Sequence, residues 1–268
     1  MDAVTEQRLI QGDGTSEDVW QRWLQEYPPA SLCDASWLLN AARVVVVAPH
    51  PDDEVLACGG VLAMRAAHAG EILIVAVTDG EASHGAASGP GADALARRRR
   101  AERVSGLQRL GLRRAWLHRC GLPDGRVERH EQQLAARLAG LLRASDIVIA
   151  SWRLDGHPDH DATGRAAASA CTDVGCRLIE APIWMWHWAS PDDERVPWQR
   201  LAALPIEPLS LRLKQAALRA HASQLTARSA ALGPVLDAAI CGRARRPHEY
   251  FFVPAWPSDF RLNSVPRA

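Results

Sequence analysis

Two hydrophobic periods alternate along the chain. Val44-Val45-Val46-Val47 is a continuous β-branched run, which predicts a strand buried on both faces. Helical spacing follows through Val61, Leu62 and Met64 and is stopped by Gly70. Ile72–Val77 predicts a second strand, and residues 79–93, rich in Gly, Ser, Ala and Asp, predict a loop. Leu95, Val104, Leu107 and Leu110 anchor a helix over 94–110, and Ala115–Leu117 predicts a short third strand. Leu134, Leu138, Leu141 and Leu142 mark another helix, and Ile147–Ala150 another strand. A helix over 161–173 and a strand over Arg177–Ala181 continue the alternation. Strands and helices at this spacing predict an α/β fold: a doubly wound, mostly parallel, Rossmann-like sheet with right-handed crossovers.

Both ends depart from this rhythm. Thr15 and Ser16 precede Glu17 and Asp18, and Val19, Trp20, Trp23 and Leu24 then recur at helical spacing. This predicts a capped amphipathic helix that ends before Pro28-Pro29 and packs its tryptophans on the body of the protein. Residues 1–42 are therefore expected to be an N-terminal helical extension and residues 43–268 the α/β domain, with an irregular C-terminal region. Trp184-Met185-Trp186-His187-Trp188 has the period of an edge strand. Leu211–Leu225 reads as a helix and Tyr250–Val253 as a late strand.

Composition narrows the function classes. The 268 residues are 47% hydrophobic, enough for a substantial core. Lys+Arg balance Asp+Glu at 31 each, so charge gives no reason to expect a nucleic-acid partner. The six cysteines are scattered with no C-x-x-C pair, which predicts reduced thiols rather than a disulfide framework. No apolar run approaches the ~18 residues of a membrane span, and the N-terminus lacks a basic stretch followed by an apolar one. A cytoplasmic protein without a membrane span is expected; homo-oligomer formation stays open.

The candidate chemistry sits after two of the strands. Pro49-His50-Pro51-Asp52-Asp53-Glu54 follows the valine run, and Asp155-Gly156-His157-Pro158-Asp159-His160 follows Ile147–Ala150. In open parallel sheets ligands bind outside the carboxyl ends of the strands, so both segments would line one edge. The pairs His50/Asp53 and His157/His160 are spaced i, i+3, which puts both members on one side of a first helical turn. His50, Asp53 and His160 make a His₂-carboxylate zinc site with a position open for water. The same ligands permit iron(II), cobalt or manganese. Asp52 is placed to act as general base. His157 could stabilise an oxyanion as an imidazolium and pass a proton to a leaving amine, and Asp159 could orient it by a hydrogen bond.

These segments resemble the LmbE-like, or PIG-L-like, deacetylase family. The first motif, with Gly59-Gly60 behind it, resembles the family signature, and Gly156-His157-Pro158-Asp159-His160 resembles its second motif. The resemblance spans roughly residues 43–225 and takes in Thr78-Asp79-Gly80-Glu81, Arg99 with Glu102, Leu122-Pro123-Asp124-Gly125, Lys214, and His221-Ala222-Ser223-Gln224. It implies a doubly wound α/β fold and removal of N-acetyl or related N-acyl groups from glucosamine-containing small molecules or glycoconjugates. It also implies zinc on His50, Asp53 and His160, Asp52 as base, His157 as stabiliser and acid, and Glu81, Arg99 and Asp124 around the sugar. The long lead before the first strand and the Trp184–Trp188 stretch depart from the family pattern.

Two other readings stay open: a metallohydrolase of a phosphoester or non-sugar amide, and a catalytically inactive sugar-binding protein on the same fold. Arg97–Arg100 reads either as an anion site or as a solvated helix face. Trp184, Trp186 and Trp188 read either as a platform for a sugar or aglycone or as packing under the N-terminal helix. His187 would point away from them, and an ordinary surface histidine is the expectation for it.

Overall fold

The valine run forms the centre of the molecule. In the computed structural model, which describes residues 8–31, 35–85, 88–229 and 231–253, every residue of Arg43–Ala48 is buried. Cys33 and the first seven residues of the expected extension lie outside the described residues. In chain order the first elements are α1 (Glu17–Glu26), β1 (Ala30–Ser31), α2 (Ser36–Leu39), β2 (Arg43–Ala48), α3 (Asp53–Arg65), β3 (Glu71–Thr78), α4 (Pro90–Arg109) and β4 (Trp116–Leu122). They are followed by α5 (Glu131–Leu141), β5 (Ile147–Ser151), α6 (Pro158–Val174), β6 (Arg177–Ala181) and α7 (Met185–Trp188). The last are β7 (Leu201–Pro205), α8 (Pro208–Leu218), α9 (Ala222–Leu225), α10 (Ala238–Arg243) and β8 (His248–Phe252).

The strands form one eight-stranded sheet in the order β1-β7-β8-β6-β5-β2-β3-β4. Only β8 runs antiparallel to its neighbours, β6 and β7. Side chains alternate across the sheet, so β2 feeds two cores at once. Val44 and Val46 pack with Ile72, Ile74, Leu62 and Phe251 on one face. Val45 and Val47 pack with Val75, Val148, Leu134 and Leu138 on the other. The buried Arg43–Asp146 ion pair ties the starts of β2 and β5 together. From β2 the chain proceeds outward to β3 and β4; from β5 it proceeds the opposite way to β6. The carboxyl ends of β2 and β5 therefore flank a topological switch point, where loops diverge and leave a crevice.

Several sequence expectations are corrected. Trp184–Trp188 is not an edge strand: Met185–Trp188 is a helical turn, and the indoles of Trp184, Trp186 and Trp188 point to three different neighbours. The expected strand at Ala115–Leu117 is the longer β4. The expected helix over Leu211–Leu225 breaks at Arg219–His221 into α8 and α9. The C-terminal region is more regular than expected, because β7 and β8 pair with each other and extend the sheet. Residues of the expected extension also join the sheet, β1 pairing in parallel with β7. Among the described residues no cysteine is bonded to another and no helix is long and apolar enough to cross a membrane.

Helix α3 kinks at Cys58, whose φ of −149° is not helical. A kink frees backbone donors, and these are recaptured by a carboxylate. Gly60 and Val61 donate their N–H groups to Glu249 at 2.7 and 2.9 Å, and the ammonium of Lys214 balances that charge at 2.6 Å. A Cβ at residue 60 would lie 2.7 Å from Ile206, so the second glycine of the Gly59-Gly60 pair is a packing requirement.

Candidate metal centre at the carboxyl edge of the sheet

Three ligand-type atoms meet in the crevice. Asp53 Oδ2 lies 3.2 Å from His50 Nδ1 and 3.3 Å from His160 Nε2, and the two ring nitrogens are 3.3 Å apart. All three side chains are buried. Their protonation follows from what lies on the far side of each ring. His50 Nε2 is 3.1 Å from both Asp124 Oδ1 and Asp159 Oδ2. His160 Nδ1 is 2.8 Å from Asp155 Oδ2. Carboxylates on those nitrogens favour a proton there, so that a cation replacing the protons on His50 Nδ1 and His160 Nε2 would meet lone pairs directed at it from both rings. Such a cluster suits a cation. Tetrahedral zinc ligands at about 2.0–2.1 Å from the metal stand about 3.3–3.4 Å from one another, and the triangle here has that size.

Carboxylates dominate the electrostatics of the cluster. Burial pushes both imidazoles down, but the carboxylates outweigh it. His50 is held well above its usual value by Asp124, Asp159 and Asp53, and His160 is raised to about 9 by Asp53 and Asp155. Burial pushes Asp53 up, yet His160 and His50 hold it well below the usual carboxylate range. The cradle is thus built to hold positive charge. A second grouping, His50, His157 and Asp159, is also compact. It fits a cation less well, because Asp159 already accepts from Gly125 N at 2.7 Å, Val127 N at 3.0 Å and His50 Nε2.

The expected catalytic groups surround this triangle. Asp52 sits at the turn into α3 with φ 124°, a conformation that L side chains rarely adopt. Its N–H reaches Glu54 Oε2 at 3.4 Å, and Arg99 holds its carboxylate at 3.1 Å. Arg99 also donates to Pro51 O and Gly80 O, both at 2.8 Å, lacing the β2 and β3 loops together. A Cβ at residue 80 would lie 1.9 Å from the Arg99 guanidinium, so glycine is needed there. Burial raises the Asp52 carboxyl to about 7, with Arg99 opposing and Asp53 adding to the rise. His157 caps α6, its Nδ1 accepting the Asp159 N–H at 3.2 Å, which leaves its proton on Nε2. Burial, with His50 and His160 nearby, pushes this imidazole down to about 3. The group is therefore a neutral donor, not the imidazolium expected from the sequence.

Asp159 is placed differently from the expectation: its carboxylate serves His50, while only its backbone N–H meets His157. Asp124 and Arg99, expected around a sugar, turn their charges inward on His50 and Asp52, and Glu81 accepts the Asp124 N–H at 2.9 Å. The arginine run is no collective anion site. Arg99 alone is buried in the crevice, Arg98 pairs with Glu102, and Arg100 pairs with Asp79. Of the tryptophans, Trp186 packs against Trp20 of α1, while Trp184 lies beside His157 with ring centroids 6.3 Å apart. His187 is buried and reaches Gln11 O at 3.2 Å, so it fastens the N-terminal segment.

Asp155 was missed by sequence reasoning. It orients His160 and also accepts the backbone N–H groups of Ile183, Trp184 and Met185 at 2.9–3.0 Å. Its position five residues before His160, in the same loop, was the available signal.

The stretch from residue 45 to 171, from β2 into α6, matches the family model described as PIG-L, GlcNAc-PI de-N-acetylase. This stretch is similar to the PIG-L family. The matched stretch contains His50, Asp53 and His160, the whole triangle. Solved structures share the architecture. The conserved protein TT1542 from Thermus thermophilus is 26% identical at a TM-score of 0.53, over 83% of this chain and 99% of that one. The A40926 pseudoaglycone deacetylase Dbv21 is 21% identical at 0.58, over 80% and 97%. The N,N'-diacetylchitobiose deacetylase from Pyrococcus horikoshii is 22% identical at 0.50, over 80% and 81%. The last two similarities attest the fold alone. No curated protein matches the chain in sequence.

Proposed function

We propose that this chain is a zinc-dependent N-deacylase acting on an N-acetylated, or otherwise N-acylated, glucosamine unit in a small molecule or glycoconjugate. One observation carries the reading: His50 Nδ1, Asp53 Oδ2 and His160 Nε2 converge to within 3.3 Å of one another, next to the buried carboxylate of Asp52. In this reading those three residues hold the ion. A divalent metal there supplies Lewis acidity, polarising an amide carbonyl and acidifying water. The nitrogen and oxygen donors also suit iron(II), and metal analysis decides between them.

The chain's own groups complete the reaction. Asp52 takes the proton of the attacking water, Arg99 holding its carboxylate in place. With its carboxyl near 7, Asp52 is a usable base at neutral pH, although a dication on Asp53 would draw it toward the ionised form. His157 donates its Nε2–H to the oxyanion as a neutral group. The proton on Asp52 then passes to the departing amine. Asp159 and Asp124 position His50, Asp155 positions His160, and Glu81 steadies Asp124. The family description and two neighbours named as deacetylases support the amide-cleaving reading, and one of those is named for an acetylated chitobiose. A small-molecule or glycoconjugate substrate and a cytoplasmic setting belong to the same proposal.

The test is primary-amine release from a panel of N-acetylglucosaminyl compounds by chelator-treated protein, with and without added zinc. Zinc-dependent release from any member is the expected result. No release across the panel, with zinc shown to be bound, would overturn the assignment to an acylated amino sugar.

A further inference from the structure

A second polar cavity lies between α3, α8, α10 and β8, apart from the His–Asp–His triangle. It is partly open to solvent and has a volume of about 40 Å³, more than one water needs. Three cations line it: Lys214, Arg243 and Arg246. Two have their counter-charges. Lys214 is paired with Glu249 at 2.6 Å, and that carboxylate also takes the two N–H groups at the α3 kink. Arg246 is paired with Glu17 at 2.7 and 2.8 Å and lies 4.2 Å over the Trp186 ring.

Arg243 has no such partner among the described residues. It is only 9% exposed, and its one hydrogen bond among the described residues runs from Nη2 to Thr15 O at 3.0 Å. Its Nε and Nη1 are buried and reach no acceptor among the described residues. The nearby carboxylates are committed: Glu17 to Arg246, and Asp237 to the Ile240 N–H that it caps at 2.8 Å. Burial first, and the charge of Arg246 second, pull the Arg243 guanidinium down to about 10, which leaves it charged at neutral pH. A water could satisfy its donors but not its charge, and a buried unpaired cation is costly. The missing component is a small negative acceptor.

We propose that this cavity binds a small oxyanion, held by the Arg243 guanidinium with Arg246 and Lys214 beside it. The bound anion would also secure the N-terminal segment, because Arg243 grips Thr15 and Arg246 grips Glu17.

The experiment is calorimetric titration of the full-length protein with inorganic phosphate, and separately with acetate, at constant ionic strength. Saturable binding of at least one is expected, weakened at least tenfold in Arg243→Met and retained in His160→Ala. The phosphate and acetate arms distinguish a tetrahedral from a planar ligand. If Arg243→Met fails to fold, Arg243→Lys makes the same comparison, keeping the charge while losing the guanidinium donors. No saturable binding by the wild type would mean that the cavity holds water only. Unchanged affinity in the Arg243 variant, or loss in His160→Ala, would place the anion elsewhere. Any of these three results overturns the proposal.

Discussion

At Asp52 a buried carboxylate occupies a backbone position, φ 124°, that favours glycine. The strain is held by Arg99 on its side chain and Pro51 O, and by Glu54 on its N–H. Asp52→Asn keeps the shape and removes the proton acceptor. Turnover should fall by ~10²–10⁴ with metal content per chain unchanged; loss of metal from that variant would make Asp52 a ligand instead. His221 is a different case. It is fully buried against Gly106, and neither ring nitrogen has a partner among the described residues. Burial, with Arg99 and Arg103 adding to it, lowers its pKa to about 3. The folded state thus keeps the ring neutral while the unfolded chain protonates it near its ordinary 6.5. Stability from this group is complete above pH ~6.5 and is lost as pH falls toward ~3, by up to ~1.4 kcal/mol per pH unit. Urea unfolding from pH ~7 to ~4.5 should show a shallower acid limb in His221→Leu than in the wild type. Equal slopes would show that His221 titrates normally.

Individual elements were legible where one force dominated. The valine run specified β2, and the two His-Pro-Asp segments specified the starts of α3 and α6, because burial and helix-start chemistry act locally there. Trp184–Trp188 misled because its period matched a strand, while three backbone donors gathered on Asp155, distant in sequence, impose a helical turn. Strand β7 went unseen because Leu201-Ala202-Ala203-Leu204-Pro205 has little intrinsic strand preference and is formed by its pairing with β8. The role of Asp155 gives a direct test. Asp155→Asn removes the charge that fixes the His160 tautomer, so affinity for zinc against a competing chelator should weaken ~10–100-fold; unchanged affinity would mean that the contact is incidental. At the α3 kink, Glu249→Gln leaves Lys214 buried without its counter-charge. Denaturant unfolding should show a loss of ~3–5 kcal/mol, partly recovered in the Glu249→Gln/Lys214→Met double variant. No recovery would mean that Glu249 acts through the backbone donors alone.

Across the whole molecule, the alternation of strands and helices was enough to anticipate the parallel sheet and the edge on which the His–Asp–His triangle lies. The divergence of the chain after β2 and β5 explains why His50 and His160, 110 residues apart, meet at one point. The antiparallel direction of β8 and the pairing of β1 from the extension with β7 were not legible, since both depend on tertiary pairing. The central claim is that His50 Nδ1, Asp53 Oδ2 and His160 Nε2 together form one metal site. Anomalous diffraction at the zinc edge from crystals grown with one equivalent of zinc tests it most directly. A single peak within about 2.3 Å of all three atoms is the expected result. A peak on His157 and Asp159 instead, or no peak on this edge of the sheet, would contradict it.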